Sequence, residues 1–416
     1  MIVKETLGQG IGMVSEELPH LQSASMGIWV RAGSSHETPE NHGISHLIEH
    51  MMFKGTASRS ARQIAEEVDR MGVHINAFTG KEATCYYIKS LSGNLEKASE
   101  VVADMFRNSV FSEEELEKEK QVVYEEIKMT EDTPEEDAHE ILDQMVFSGT
   151  ELENCVIGTP ESLAAISRRD ILDYLEKEYT SEQTLVALAG SFREERMRSF
   201  FAEKLAGLAT APAAELRRDA PYKSRYRVKV KDVEQSHICL GLPGVSMEHP
   251  LSCAMKMLNN IMGGSMSSRL FQSVREEKGL AYAVYSGAGF YVNRGICSIY
   301  AGVAHQRVEE AVKAIVEELR LLGEKGVSEE ELETAREQIK SSHIFGQENV
   351  NHRMFYMGKN LLLLGRVETA EEVLERLDRV TMEDVREAAR LIAGVENYSG
   401  VLISNRDLDL EKIVRG

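Results

Sequence analysis

At 416 residues the chain is too long for one compact core, and its 42% apolar and 28% charged residues with only eight prolines exclude a long disordered polymer. A formal charge of −20 excludes the clustered Lys and Arg excess that nucleic-acid phosphates require, and leaves general solubility or basic partners as readings of the acidity. No apolar run approaches the ~18 residues that span a bilayer, and the first twenty residues lack a basic stretch followed by an apolar one, so no membrane association and a cytoplasmic location are expected. Five scattered cysteines without Cys-x-x-Cys spacing read as reduced core thiols.

In chain order, residues 5–34 read as strands ahead of a helical segment at Gly43-Ile-Ser-His-Leu-Ile-Glu-His-Met-Met-Phe-Lys54. Ser60 and Gln63 form a capping-box pattern that opens a helix with the stripe Ala61, Ile64, Ala65, Val68 and Met71, stopped at Gly72. Residues 73–91 read as a hairpin around Gly80. Ser112 and Glu115 open a second capped helix, whose inner stripe is Leu116, Val123, Ile127 and Thr130. Residues 206–222, rich in Ala and holding two prolines, are the best linker. Beyond it Tyr226 to Gly244 again reads as strands, and Ser328-Glu-Glu-Glu-Leu-Glu333 repeats Ser112-Glu-Glu-Glu-Leu-Glu117.

A self-similar period near 210 residues implies duplication rather than a short-repeat solenoid. The predicted fold is α+β: two homologous domains, each a mostly antiparallel sheet covered by helices, over residues 1–210 and 223–416 with a linker at 211–222.

His46 and His50, at i and i+4, share one face of their helix, and such a pair can hold one zinc ion while Glu49 reaches a water as general base. A chance His-x-x-Glu-His should arise roughly 0.04 times in a chain of this composition. A histidine pair is also found as a surface or core accident, and His36 and His42 lie close enough to compete as ligands. A catalytic zinc takes a third protein ligand, and Glu119 and Glu126 fall beside the apolar stripe of the Ser112 helix while Glu125 points away. Burying carboxylates calls for a cation or donors. Periodicity alone equally permits a wide solvated face on this acidic helix.

Taken in order, these residues resemble the pitrilysin and mitochondrial-processing-peptidase family of inverse zincins, in its short bacterial form, over essentially the whole chain. The family's pattern is His-x-x-Glu-His followed some 76 residues later by a ligand Glu, and His50 to Glu126 is 76 residues. The resemblance implies zinc, one ion per chain, held by His46, His50 and Glu126, with Glu49 as base and Glu119 orienting the ligands. It also implies an edge strand at Asn76, Ala77, Phe78 and Thr79 to which a peptide substrate adds, and an Arg and Tyr seven residues apart, matched by Arg275 and Tyr282, that reach substrate and tetrahedral intermediate. Without the resemblance, Arg275 and Tyr282 read as ordinary surface residues. Ser265, where many relatives carry a third glycine, departs from the pattern.

Sliding the halves by about 208 residues sets His46, Glu49 and His50 against Ala254, Met257 and Leu258, and sliding by 216 sets Glu119 and Glu126 against Ala335 and Ser342. Only the first half is expected to be catalytic. The expected function is a zinc-dependent endopeptidase acting on extended peptides in a dimeric chamber, built from two identical chains or from this chain and a homologous partner. The alternative is a catalytically silent structural or peptide-binding subunit.

Overall fold

The structure is a computed structural model and describes residues 1–211 and 222–416. The chain forms two compact units of three stretches each: Met1–Ile127, Asn154–Leu216 and Ile344–Thr369 in the first, Lys128–Glu153, Arg217–His343 and Ala370–Gly416 in the second. The segment 211–222 read as a linker lies almost wholly outside the described residues.

In the first unit, β1 (Ile2–Thr6), β2 (Gly12–Glu17), β3 (Ser23–Val30), β4 (His74–Thr79), β5 (Thr84–Leu91) and β6 (Thr184–Gly190) take the order β1-β2-β6-β3-β5-β4. In the second, β7 (Tyr226–Val230), β8 (Ser236–Pro243), β9 (Ala281–Phe290), β10 (Gly295–Val303) and β11 (Ser399–Ser404) take the order β7-β11-β8-β10-β9. Each sheet holds one parallel pair, β2 with β6 and β7 with β11, among antiparallel ones. The orders β2-β6-β3-β5-β4 and β7-β11-β8-β10-β9 are one connectivity used twice, so the duplication seen in the helix-start motifs is built into the sheets. The fold is α+β with two homologous, mostly antiparallel sheets.

Five α-helices precede residue 150: α1 (Ile44–Met52), α2 (Ala61–Met71), α3 (Leu95–Asn108), α4 (Glu113–Asp132) and α5 (Pro134–Val146). The capping box opens α2 as its sequence requires, Ser60 accepting from the Gln63 amide and Gln63 from that of Ser60, and Gly72 closes it at φ +63°. On one face of the first sheet, Met26, Ile28 and Val30 of β3 pack with Leu47, Ile48 and Met51 of α1 and Val101, Val102 and Met105 of α3. The strand is buried on nearly every residue because its other face is covered too. That cover is the Val350–Leu364 helix, lying over β3 and β6. It approaches so closely that a β-carbon at Gly358 would stand 2.3 Å from the Trp29 indole nitrogen.

The second unit borrows in turn. α5 places Ala138, Ile141 and Leu142 in a core with Cys239 of β8 and Val401 and Ile403 of β11, and Asp137 pairs with Lys229 at 2.5 Å. Each half of the sequence thus supplies a helix to the unit formed mainly by the other half. Hydrophobic pattern could not reveal this, because an amphipathic stripe says that a helix is covered and not by which sheet. All five cysteines are buried free thiols. Among the described residues no helix is long and apolar enough to cross a membrane.

Candidate metal centre

The first turn of a helix exposes backbone N–H groups that need acceptors. α1 follows Gly43, which lies in the left-handed region at φ +91° and caps with no side chain of its own. Glu37 does the capping from a distance: its two carboxylate oxygens accept from the Gly43 and Ser45 amides at 2.8 and 2.9 Å. A side chain at Gly43 would also meet Gly158, whose Cα would stand 2.8 Å from the added β-carbon. Glu37 is 2% exposed, and burial outweighs those hydrogen bonds, lifting its carboxyl to about 7. Nothing in the sequence marks Glu37 beyond an acidic residue upstream of a helix start.

So anchored, α1 buries Ile44, Leu47, Ile48 and Met51 and leaves His46, Glu49 and His50 half-buried on its remaining side. α4 faces them. Ser112 accepts from the Glu115 amide as its capping pattern predicts, and Leu116, Val123 and Ile127 fix the helix in the core. Glu119 is buried with that stripe, Glu126 is a third exposed, and Glu125 is exposed.

The candidate ligand atoms of His46, His50 and Glu126 lie within 4.8 Å of one another. Glu126 Oε2 stands 3.7 Å from His46 Nε2 and 3.5 Å from His50 Nε2. Three atoms each ~2 Å from a tetrahedral ion would stand ~3.3 Å apart, so the triad is close to ligand spacing. The donor set itself calls for a cation. A carboxylate can only accept, so the 3.2 Å contact between His50 Nδ1 and Glu119 Oε2 makes Nδ1 the donor. In the neutral ring Nε2 then offers a lone pair to Glu126, another acceptor, and a metal ion between them resolves the conflict. Lys54 Nζ binds the second oxygen of Glu119 at 2.7 Å, a contact sequence reasoning missed. Burial, and secondarily the neighbouring His50, push the His46 imidazole down to about 4, which keeps it neutral and able to ligate.

Glu49 projects from the same helix, and the Thr79 hydroxyl at the end of β4 donates to its Oε2 at 2.5 Å. Burial raises its carboxyl above the usual range, with the Thr79 bond opposing. The rival histidines are engaged elsewhere: His36 contacts the Ser35 hydroxyl at 3.1 Å and His42 Nε2 the Cys155 carbonyl at 2.8 Å. Asn76, Ala77, Phe78 and Thr79 lie on β4, which is an edge of its sheet and among the described residues pairs only with β5. In the second unit the Arg275 guanidinium lies 5.3 Å from the centroid of the exposed Tyr282 ring. Ala254, Met257 and Leu258 are fully buried apolar positions, as the loss of ligands in that half predicts.

Residues 12–160 match the model of the insulinase family, peptidase family M16, and residues 165–339 match that of the M16 inactive domain. A Bacillus subtilis chain named as the uncharacterized zinc protease YmxG is 41% identical over 97% of this chain and 98% of its own. The chain belongs to peptidase family M16. Its fold is shared with the M16 inactive domain protein of Pseudomonas fluorescens, at TM-score 0.91 and 20% identity over 98% of each chain. A chain of complex III2 from Candida albicans is similar at TM-score 0.87 and 20% identity, over 100% of this chain and 99% of that one. Among these the M16 kinship with YmxG carries the peptidase chemistry, and the two solved structures carry the fold.

Proposed function

We propose that this M16 chain is a zinc-dependent endopeptidase, with one ion held by His46, His50 and Glu126. The observation that carries the reading is the convergence of those three ligand atoms, from α1 and α4, with Glu49 on the same helix as the two histidines. A zinc ion there supplies Lewis-acid polarisation to a peptide carbonyl and to a water. Glu49 takes the water's proton as its oxygen bonds to the carbonyl carbon, then passes that proton to the amine nitrogen as the C–N bond breaks. Glu119 holds the His50 ring by its Nδ1–H, and the edge strand β4 receives the peptide main chain through residues 76–79. Arg275 and Tyr282 donate to the substrate and the developing oxyanion. The catalytic unit is formed mainly by residues 1–210 and a homologous inactive one mainly by 223–416, each with a helix from the other half, and two chains pair as a homodimer around extended peptides.

The test compares the unaltered chain with Glu49→Gln, which keeps the ligands and removes the base. Stoichiometric zinc in both with cleavage of a quenched peptide library only by the unaltered protein is expected. Zinc without cleavage in either would favour the reading of a catalytically silent structural subunit.

A further inference from the structure

A glutamate on a helix reaches its place through three rotatable bonds, so a base of this kind needs something that fixes where its carboxylate points. Here one oxygen is tethered. Thr79 Oγ1 donates to Glu49 Oε2 at 2.5 Å, and Oε1 has no protein partner among the described residues. We propose that Thr79 is a positioning residue for Glu49, so that the strand offered to the peptide also aims the base; this rests on the peptidase reading above.

Three features of the fold make the tether firm. Thr79 pairs with Thr84 across β4 and β5, which fixes its backbone, and its β-branched side chain has restricted χ1. Alternation along β4 puts Ile75, Ala77 and Thr79 on one side of the strand, and of these only Thr79 carries a hydroxyl that α1 can use. Finally, β4 is an edge, so its outward N–H and C=O groups have no strand partner among the described residues. A chain that pairs there stiffens the strand whose last residue holds Glu49. With Oε2 occupied by Thr79, Oε1 is the oxygen that takes the proton from water and returns it to the leaving nitrogen. Asn76 and Phe78 lie on the other side of the strand, where the Phe78 ring packs against Trp29 and Phe355, so neither side chain shares the place of Thr79 beside the base.

The experiment uses full-length zinc-loaded protein and a quenched peptide. Thr79→Val, which keeps shape and strand preference, should lower kcat about 10- to 100-fold with KM changed less than about 2-fold, while Thr79→Ser restores most of the rate. Zinc content should be equal in all three. An unchanged kcat in Thr79→Val, a loss confined to KM, or Thr79→Ser as slow as Thr79→Val overturns the proposal. The contact is read without activity by urea unfolding of the metal-free unaltered, Thr79→Val, Glu49→Ala and doubly substituted proteins. The two midpoint shifts should fail to add; strict additivity removes the tether. No cleavage by the unaltered zinc-loaded chain is a separate result, which removes the peptidase reading and the positioning role with it.

Discussion

Glu119 touches His50 through Nδ1 and not through the nitrogen that faces Glu126, and so it decides which nitrogen of His50 is free. Its carboxylate is 5% exposed and bridges His50 Nδ1 and Lys54 Nζ. Glu119→Ala should therefore weaken zinc binding about 10- to 100-fold without abolishing it, and competition against a chromophoric chelator measures this. Affinity equal to the unaltered protein would deny Glu119 its orienting role. Lys54→Ala should weaken zinc less, because Glu119 keeps its histidine partner. The contrast shows where legibility stops. His46, Glu49 and His50 announce themselves because one helical turn places them together, and Glu119 and Glu126 because seven residues is two turns. Lys54, Thr79 and Glu37 reach the site across a helix pair, a strand end and a loop, and no periodicity records such contacts.

At the scale of elements, α1 is held by a buried acid, and that has a signature in pH. The carboxyl of Glu37 at about 7 stands above its ordinary 4.5, so between those values the folded protein keeps a proton that the unfolded chain has released. Its stabilisation is complete below pH 4.5 and is lost as pH rises through 7. The adjacent His36 acts in the opposite sense. Burial, then Arg31, push it down to about 3, so its contribution is present above pH 6.5 and is lost as pH falls through 3. From 4.5 to 6.5 the two offset each other. Replacing Glu37 with Gln leaves His36 unopposed, and the unfolding free energy of Glu37→Gln should gain on the unaltered protein by about 1.4 kcal/mol per pH unit between pH 4.5 and 7. Urea unfolding of the metal-free proteins at several pH values checks it, and parallel stability curves would count against a buried, raised Glu37. The capping boxes and the hairpin around Gly80 were readable residue by residue because they are local; this cap, six and eight residues from its donors, was not.

For the whole molecule, the duplication was legible twice over, in the Ser112 and Ser328 motifs and in the strand runs before each helix. The exchange of helices between halves was not, since neither α5 nor the Val350–Leu364 helix carries a mark of its destination. It makes a firm prediction. A fragment ending at residue 210 lacks the helix that covers β3 and β6, and Trp29, 2% exposed in the intact chain and its single tryptophan, loses its cover. The fragment should show red-shifted tryptophan emission and no cooperative thermal transition, and adding residues 344–369 should restore both. Cooperative unfolding of the fragment alone would refute this.

The same feature constrains how the protein is born. A ribosome adding roughly 5–20 residues each second delivers residue 350 on the order of ten seconds after residue 210. Throughout that interval the nascent first sheet has one apolar face with no partner yet made, so the amino-terminal half cannot finish folding as it emerges and must wait, shielded or soluble, for the end of its own message.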